Sequence, residues 1–479
     1  MKHDSAFPEV GHRRDDVLGA LTDARTRDLK SDGRAFAFVY DPGEDAKSVA
    51  REAFTACMGI NALDPTVYPS ARTIENAVVA AWLELLHGPE GAVGTATAGG
   101  TESVMLAVKT ARDHARKTRP EITRPKMLLP ETAHACFHKA AHYLGVEVVP
   151  VAVDPETLRA SVEDAKSKMS AEVILVVGSA PSYAHGVVDP ITELAALASS
   201  HGALMHVDAC VGGCVLPFLR DNGAPVPDFD FRVPGVTSVS LDLHKYGFAP
   251  KGVSLLLLRT RALRDAQYFA CANWTGYTVV NSTTLGSKSA AAMGAAFALM
   301  GYLGKKGYRE RAKAMWDTTT SLVSVVDQTP GLRMVGRPDM NLFAFTTEEG
   351  DVFELADRLA ERGWHVQPTY AFGASPAHIH LTIDPTNAAR ASDLAADLRR
   401  CLVELPAKVS PPAEVVAMLS MLASSDDAQG LDASAIMAQL GIADGQLPSR
   451  AATIHRLLDA APPLVREKLL VMFFGELFS

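Results

Sequence analysis

The sequence predicts an α/β protein: a large, mostly parallel sheet covered by helices on both faces, with a smaller α/β unit after it. Two patterns predict it. Between about residues 72 and 304, short apolar and β-branched runs alternate with segments of helical period, the order expected of strands joined by crossover helices. Most of the runs are dominated by apolar residues, with "SVSLDL" the one that alternates, and such runs mark strands buried on both faces.

Residues 1–60 read as an N-terminal arm: a charged helix, the extended "GRAFAFVYDPGEDA", and a helix ending near Gly59. In the large domain, residues 61–305, helices such as "ARTIENAVVAAWLELLHG" and "TESVMLAVKTARDHARK" accompany the strand runs "KMLLP", "EVVPVAV", "EVILVVGSA", "ALMHVDA", "SVSLDL" and "SLLLLR". A long helix is predicted over 288–329. Its uncharged start, "SAAAMGAAFALMGYLG", falls short of the ~20 residues that cross a bilayer and reads as buried. The small α/β domain, 306–405, carries "NLFAFTT", "DVFELADRLAERG", "WHVQPT" and "HIHLTI", a strand–helix–strand–strand unit. "VELPAKVSPPAE" is a connector, and 406–479 is a helical C-terminal appendage whose apolar "LLVMFFGELFS" is expected to pack against protein.

With 48% hydrophobic and 21% charged residues, the 479-residue chain can bury a sizeable core. Its net charge of −9 opposes bulk nucleic-acid binding, which needs a basic face. The N-terminus "MKHDSAFPEVGHRRDD" lacks the apolar stretch of a signal peptide, and no transmembrane anchor is expected. Of the six cysteines only Cys210 and Cys214 lie close, without the partners of a zinc site, so no metal is expected. A soluble protein in a reducing, cytoplasmic setting is the simplest fit.

Three stretches carry candidate chemistry, each with a plainer reading beside it. "GTATAGGTESVMLAVKTARD" (94–113) opens a helix with Gly99, Gly100 and Thr101. Glycines let a backbone approach a phosphate, and a helix start supplies free amides; Thr101 is equally an ordinary N-cap. "HVDAC" ends a predicted interior strand with Asp208, where open α/β sheets place ligands; the plainer role is capping the next turn. "SLDLHKYGFAPKG" (240–252) sets Lys245 and Lys251 between two apolar strands. A desolvated amine forms Schiff bases with aldehydes, while two charges in a solvated turn need no function. Taken together and in this chain order, an imine-forming amine, a carboxylate for a ring nitrogen and an anion cradle are what pyridoxal phosphate requires. His134 in "ETAHACFHKAA" is placed to stack on an aromatic ring, and "GSAPSYAHGVVDP" (178–190) runs from a strand end into a turn beside the site.

On "GGTES", "ETAHACFHKAA", "GSAPSYAHGVVDP", "HVDACVGG", "HKYGFAPKG" and "LGSK", roughly residues 35 to 400 resemble the group II pyridoxal-phosphate-dependent decarboxylase family. The second lysine, in "PKG" after "HKYG", is similar to the sphingosine-1-phosphate lyase branch. The resemblance implies fold type I of the pyridoxal-phosphate enzymes, aspartate aminotransferase-like, with a seven-stranded large domain. It implies Lys245 as covalent anchor, Asp208 on the pyridine nitrogen, His134 on the ring, and Gly100, Thr101 and His244 on the phosphate. Ser287 would join them from the neighbouring subunit of a homodimer with shared active sites. Lys251 and Tyr40 become the acid–base candidates, and Asn61 and Asp64 the substrate-region residues. The implied reaction is retro-aldol cleavage of the C2–C3 bond of a phosphorylated sphingoid base, a small lipid-like amino-alcohol, to a long-chain aldehyde and phosphoethanolamine. An amino-acid decarboxylase, its carboxylate clamp drawn from Arg72 or Arg337, is the alternative; an inactive binding protein is the third reading. The chain departs from the branch at Asp64 (a His is expected), Val279 (Tyr), Ser282 (Pro) and Lys288 (Arg), all outside the cofactor shell.

Overall fold

A computed structural model describes residues 7–411 and 450–478. The large sheet has seven strands: β1 Val93–Thr97, β2 Lys126–Pro130, β3 Glu147–Val151, β4 Val173–Ser179, β5 Leu204–Asp208, β6 Val236–Leu241 and β7 Ser254–Leu258. Their spatial order is β1-β7-β6-β5-β4-β2-β3. The pairs from β3 across to β6 are parallel, and β7 runs antiparallel to both β6 and β1. All seven residues of β4 and all five of β7 are buried, as uninterrupted apolar runs require of strands with both faces covered.

Six of the seven strands match the predicted runs. The seventh, "VGTAT", carries no large apolar residue, and its fit comes from close approach. A Cβ on Gly94 would lie 2.6 Å from Leu257 Cδ2 and 2.8 Å from Val79 Cγ1. The predicted long helix spans Ala291–Gln328 and breaks at Gly304, whose φ of 56° and ψ of 178° lie outside helical geometry. Glycine alone adopts that backbone freely. The break divides a buried apolar half, which packs on helix Glu44–Cys57, from a charged half that leads into the small domain.

A two-stranded ribbon, β8 Phe269–Cys271 and β9 Val279–Asn281, projects from the large domain. The small domain adds β10 Leu332–Met334, β11 Leu342–Thr347, β12 Gln367–Thr369 and β13 His378–Thr382, antiparallel in the order β10-β11-β13-β12. The predicted strand–helix–strand–strand unit is present, with β10 as an extra edge and β12 shortened to three residues around Pro368. Much of the predicted C-terminal appendage falls at 412–449, outside the described residues; beyond it run helices Ala452–Ala460 and Pro463–Leu477.

The N-terminal segment straps the two domains together. Phe36 donates its amide to His365 O at 2.8 Å and accepts from Thr382 N at 2.7 Å. Asn387 Nδ2 donates to Gly33 O and Ala35 O. The chain then brings Tyr40 edge-on to Tyr246, ring centroids 5.0 Å apart. A second joint is the loop after β4, where Gly186 sits at φ 75° against β11 and a Cβ would fall 2.0 Å from Leu342 O. Gly186→Ala is therefore expected to cost about 2–4 kcal/mol through backbone strain and steric overlap, lowering the urea midpoint. An unchanged midpoint would mean that this joint is not packed as described.

Candidate active site

The carboxyl ends of β4, β5 and β6 open into a cavity of about 540 Å³, within the ~300–1,000 Å³ of small-molecule sites. Lys245, Asp208, His134, Gly100, Thr101 and His244 all line it. Six of the sequence-predicted residues are thus gathered in one place from four separate segments.

Each is held by its local structure. Asp208 is the last residue of β5; its Oδ1 accepts from Cys210 N at 3.0 Å and from Ser240 Oγ at 3.4 Å. Oδ1 performs the plain turn-capping role and, among the described residues, Oδ2 is left for a cavity ligand. Helix Gly100–Thr118 has Gly99, not Thr101, as its N-cap, and no side chain caps it. Its first-turn amides therefore remain available where the helix dipole favours an anion. His244 Nδ1 accepts the amide of Val253, and its Cε1 lies 3.3 Å from where a Cβ of Gly99 would be. His134 Nδ1 accepts from Cys136 N, which sets its ring edge-on to Tyr183 at 6.4 Å.

Lys245 follows the end of β6 and rests its Nζ 3.0 Å from Asp242 Oδ2. Burial opposes charge on both groups, and their mutual attraction reverses that. The Lys245 ammonium is held above the ordinary lysine range by Asp242, and Asp242 below the carboxylate range by Lys245 and His244. Asp242 Oδ1 and Ser179 Oγ, both in the cavity wall, are buried without a hydrogen-bond partner among the described residues. Burial also pushes the thiols of Cys136, Cys210 and Cys214 up from their ordinary range.

Lys251 and Ser287 line a separate pocket of about 270 Å³. Lys251 Nζ donates to His244 O at 2.9 Å and lies 4.5 Å from the centre of the Tyr40 ring. Burial, then the Lys245 charge, lowers its pKa, while burial raises that of Tyr40 to about 12 against the pull of Lys245. Ser287 Oγ accepts from Asn61 Nδ2 at 3.4 Å, so these two meet each other and not Lys245. Asp64 is exposed, and its Oδ1 accepts from Thr66 N at 2.8 Å and Thr66 Oγ1 at 2.6 Å. It shapes its own turn. Lys288 is anchored by Ala96 O at 3.1 Å and Glu75 at 3.7 Å. Arg337 pairs with Asp327 on the surface, and neither it nor Arg72 lines the cavity.

Sequence reasoning missed three participants. Asp242 repeats the signal that marked Asp208, an acid at the end of a buried strand, and adds a lysine three residues on. Glu102 ties the cavity floor to the 282–287 loop, with Oε2 on Ala98 N at 2.6 Å and Oε1 on Thr284 N at 2.8 Å. Tyr183 lines the cavity and donates to Gln367 Oε1 at 2.8 Å. Nothing local distinguished either from a solvated residue.

A sequence model described as "Pyridoxal-dependent decarboxylase conserved domain" matches residues 3–348, and one described as "Pyridoxal-dependent enzyme, C-terminal putative HTH domain" matches 413–476. The chain is 38% identical to a rice sphingosine-1-phosphate lyase over 79% of its own length and 71% of the relative's. The Arabidopsis thaliana sphingosine-1-phosphate lyase is 36% identical over 83% and 73%. Among solved structures, the Burkholderia pseudomallei sphingosine-1-phosphate lyase superposes with a TM-score of 0.80 at 33% identity, covering 88% of this chain and 96% of that one.

The ion pair makes a directional prediction. In Asp242→Asn the Lys245 amine keeps its burial and loses its counter-charge, so its pKa should fall below the usual lysine range. Acetylation of the cofactor-free protein, followed by peptide mapping across pH, should then modify Lys245 at lower pH than in wild type. An unshifted profile would remove Asp242 as the controlling charge.

Proposed function

The chain belongs to the pyridoxal-dependent decarboxylase family, on its sphingosine-1-phosphate lyase branch, and from that premise we propose that it cleaves a phosphorylated sphingoid base between C2 and C3. It is a pyridoxal-phosphate-dependent carbon–carbon lyase. The observation that carries the reading is Lys245 at a cavity whose wall also holds Asp208 and the uncapped start of helix Gly100–Thr118. The partnerless Ser179 Oγ and Asp242 Oδ1 fit a polar guest there. Lys245 would bind the aldehyde carbon of the cofactor, Asp208 its ring nitrogen, His134 its ring face, and Gly100, Thr101 and His244 its phosphate. The bound cofactor supplies an electron sink for the bond being broken.

The protein's own groups handle the protons. Cleavage requires loss of the proton from the substrate's C3 hydroxyl; the long-chain aldehyde leaves, and a proton delivered to C2 completes phosphoethanolamine. Tyr40, its pKa driven to about 12 by burial, keeps its proton at neutral pH and serves as a donor. Lys251, its pKa lowered by burial and by Lys245, is the more readily deprotonated of the two and serves as the base. Its 4.5 Å approach to the Tyr40 ring keeps the two groups together.

The proposal extends to a homodimer in which Ser287 of the partner subunit reaches the cofactor phosphate. One observation supports it: the nearby ribbon exposes Phe269, Trp274, Tyr277 and Val280. Among the described residues no helix is long and apolar enough to cross a membrane. We place the protein in the cytoplasm as a soluble enzyme that meets its lipid-like substrate at a membrane surface or micelle.

The deciding assay offers purified protein a phosphorylated sphingoid base and, separately, a panel of amino acids, measuring aldehyde and carbon dioxide. Aldehyde is expected; carbon dioxide without aldehyde would establish the decarboxylase. Lys245→Ala should lose the covalent chromophore and all turnover. Lys251→Ala should keep the chromophore and lose roughly 10²–10⁴-fold in kcat, as for removal of a general base. Because the base acts deprotonated, kcat in the wild type should rise with pH through the lowered pKa of Lys251, and this limb should vanish in the variant.

A further inference from the structure

The segment 370–375, just after β12, touches the active-site loops on one side and the C-terminal helices on the other. It forms a tight turn, with Phe372 and Ser375 exchanging both backbone hydrogen bonds. Toward the cavity, Gly373 packs on Glu131, whose Oε2 lies 2.6 Å from where a Cβ would stand. Glu131 opens the loop that carries His134. Ser375 Oγ meets His185 Nε2 at 2.9 Å, in the loop that carries Tyr183. The turn is thus wedged between two loops whose His134 and Tyr183 line the cavity.

Its outer side is gripped by the appendage. Asp459 Oδ1 accepts the amide of Ala371 at 2.7 Å, and Tyr370 OH pairs with His455 Nδ1 at 3.0 Å. The Arg466 guanidinium lies 5.3 Å from the Tyr370 ring centre, and the Phe353 ring stacks on His455 at 5.5 Å. The helix is itself fixed to the small domain, where Asp357 accepts the amides of Ala451 and Ala452 at 3.0 and 2.9 Å.

We propose that the C-terminal helix pair is a positioning element for the active site: through Asp459 and His455 it holds the 370–375 turn as a wedge that sets the gap between the His134 and Tyr183 loops, and so governs capture of the amine substrate. The identity of that substrate rests on the reading above; the wedge itself rests on the contacts.

The test uses full-length holoenzyme. Asp459→Ala removes the acceptor for Ala371 N, and Tyr370→Phe removes the bond to His455 while keeping the ring. Each should raise KM for a phosphorylated sphingoid base roughly fivefold, the equivalent of one hydrogen bond, with kcat within about twofold of wild type. Each should also speed the bleaching of the bound chromophore by hydroxylamine, a small amine surrogate that needs no turnover. Asp459→Asn, which retains a carbonyl acceptor, should restore wild-type values. Wild-type KM and bleaching in both variants would overturn the proposal. So would a joint loss of kcat and thermal stability that Asp459→Asn fails to rescue. Should the wild type not cleave the sphingoid base, the lyase reading fails and the bleaching rates still decide the wedge.

Discussion

A lysine placed inside a cavity needs a counter-charge, and here a buried carboxylate three residues upstream provides it. Asp242 keeps the Lys245 ammonium from being expelled to solvent. The same carboxylate shapes its surroundings: a Cβ at Gly100 would stand 2.7 Å from both of its oxygens. Glycine at the helix start is therefore dictated by the ion pair as well as by any anion the helix receives. The lysine, its partner acid and the anion cradle are one packed unit, and a change in any of them is felt by the other two.

Much of this was legible in the sequence because it depends on short-range pattern. Apolar runs gave the interior strands, and Asp208 could be read from its place at the end of one of them. What escaped was set by tertiary contact. β1, "VGTAT", has a single valine among glycine, alanine and threonine, and its fit rests on the packing of Leu257 and Val79 against Gly94. Tyr183 and Glu102 earn their places through partners 184 and 182 residues away. Gly304 looked like one more small residue in an apolar helix, and only its backbone angles reveal the break. Asp64, expected in the substrate region, accepts from Thr66 through Oδ1, a local contact that its spacing alone did not announce.

The two lysines differ sharply in their surroundings. Lys245 has a carboxylate at 3.0 Å and stays charged until an aldehyde competes for it. Lys251 has a backbone carbonyl, an aromatic face and a neighbouring positive charge, none of which offers it a counter-ion. The N-terminal segment matters here because it brings Tyr40 to 4.5 Å from the amine of that second lysine.

The thiols beside the cavity carry a last consequence. Cys136 and Cys210 stand within the same walls as the lysine, and sulfur is a stronger nucleophile than nitrogen toward an electrophilic carbonyl when it is ionised. Burial raises the pKa of both thiols and so lowers the fraction present as the nucleophilic thiolate.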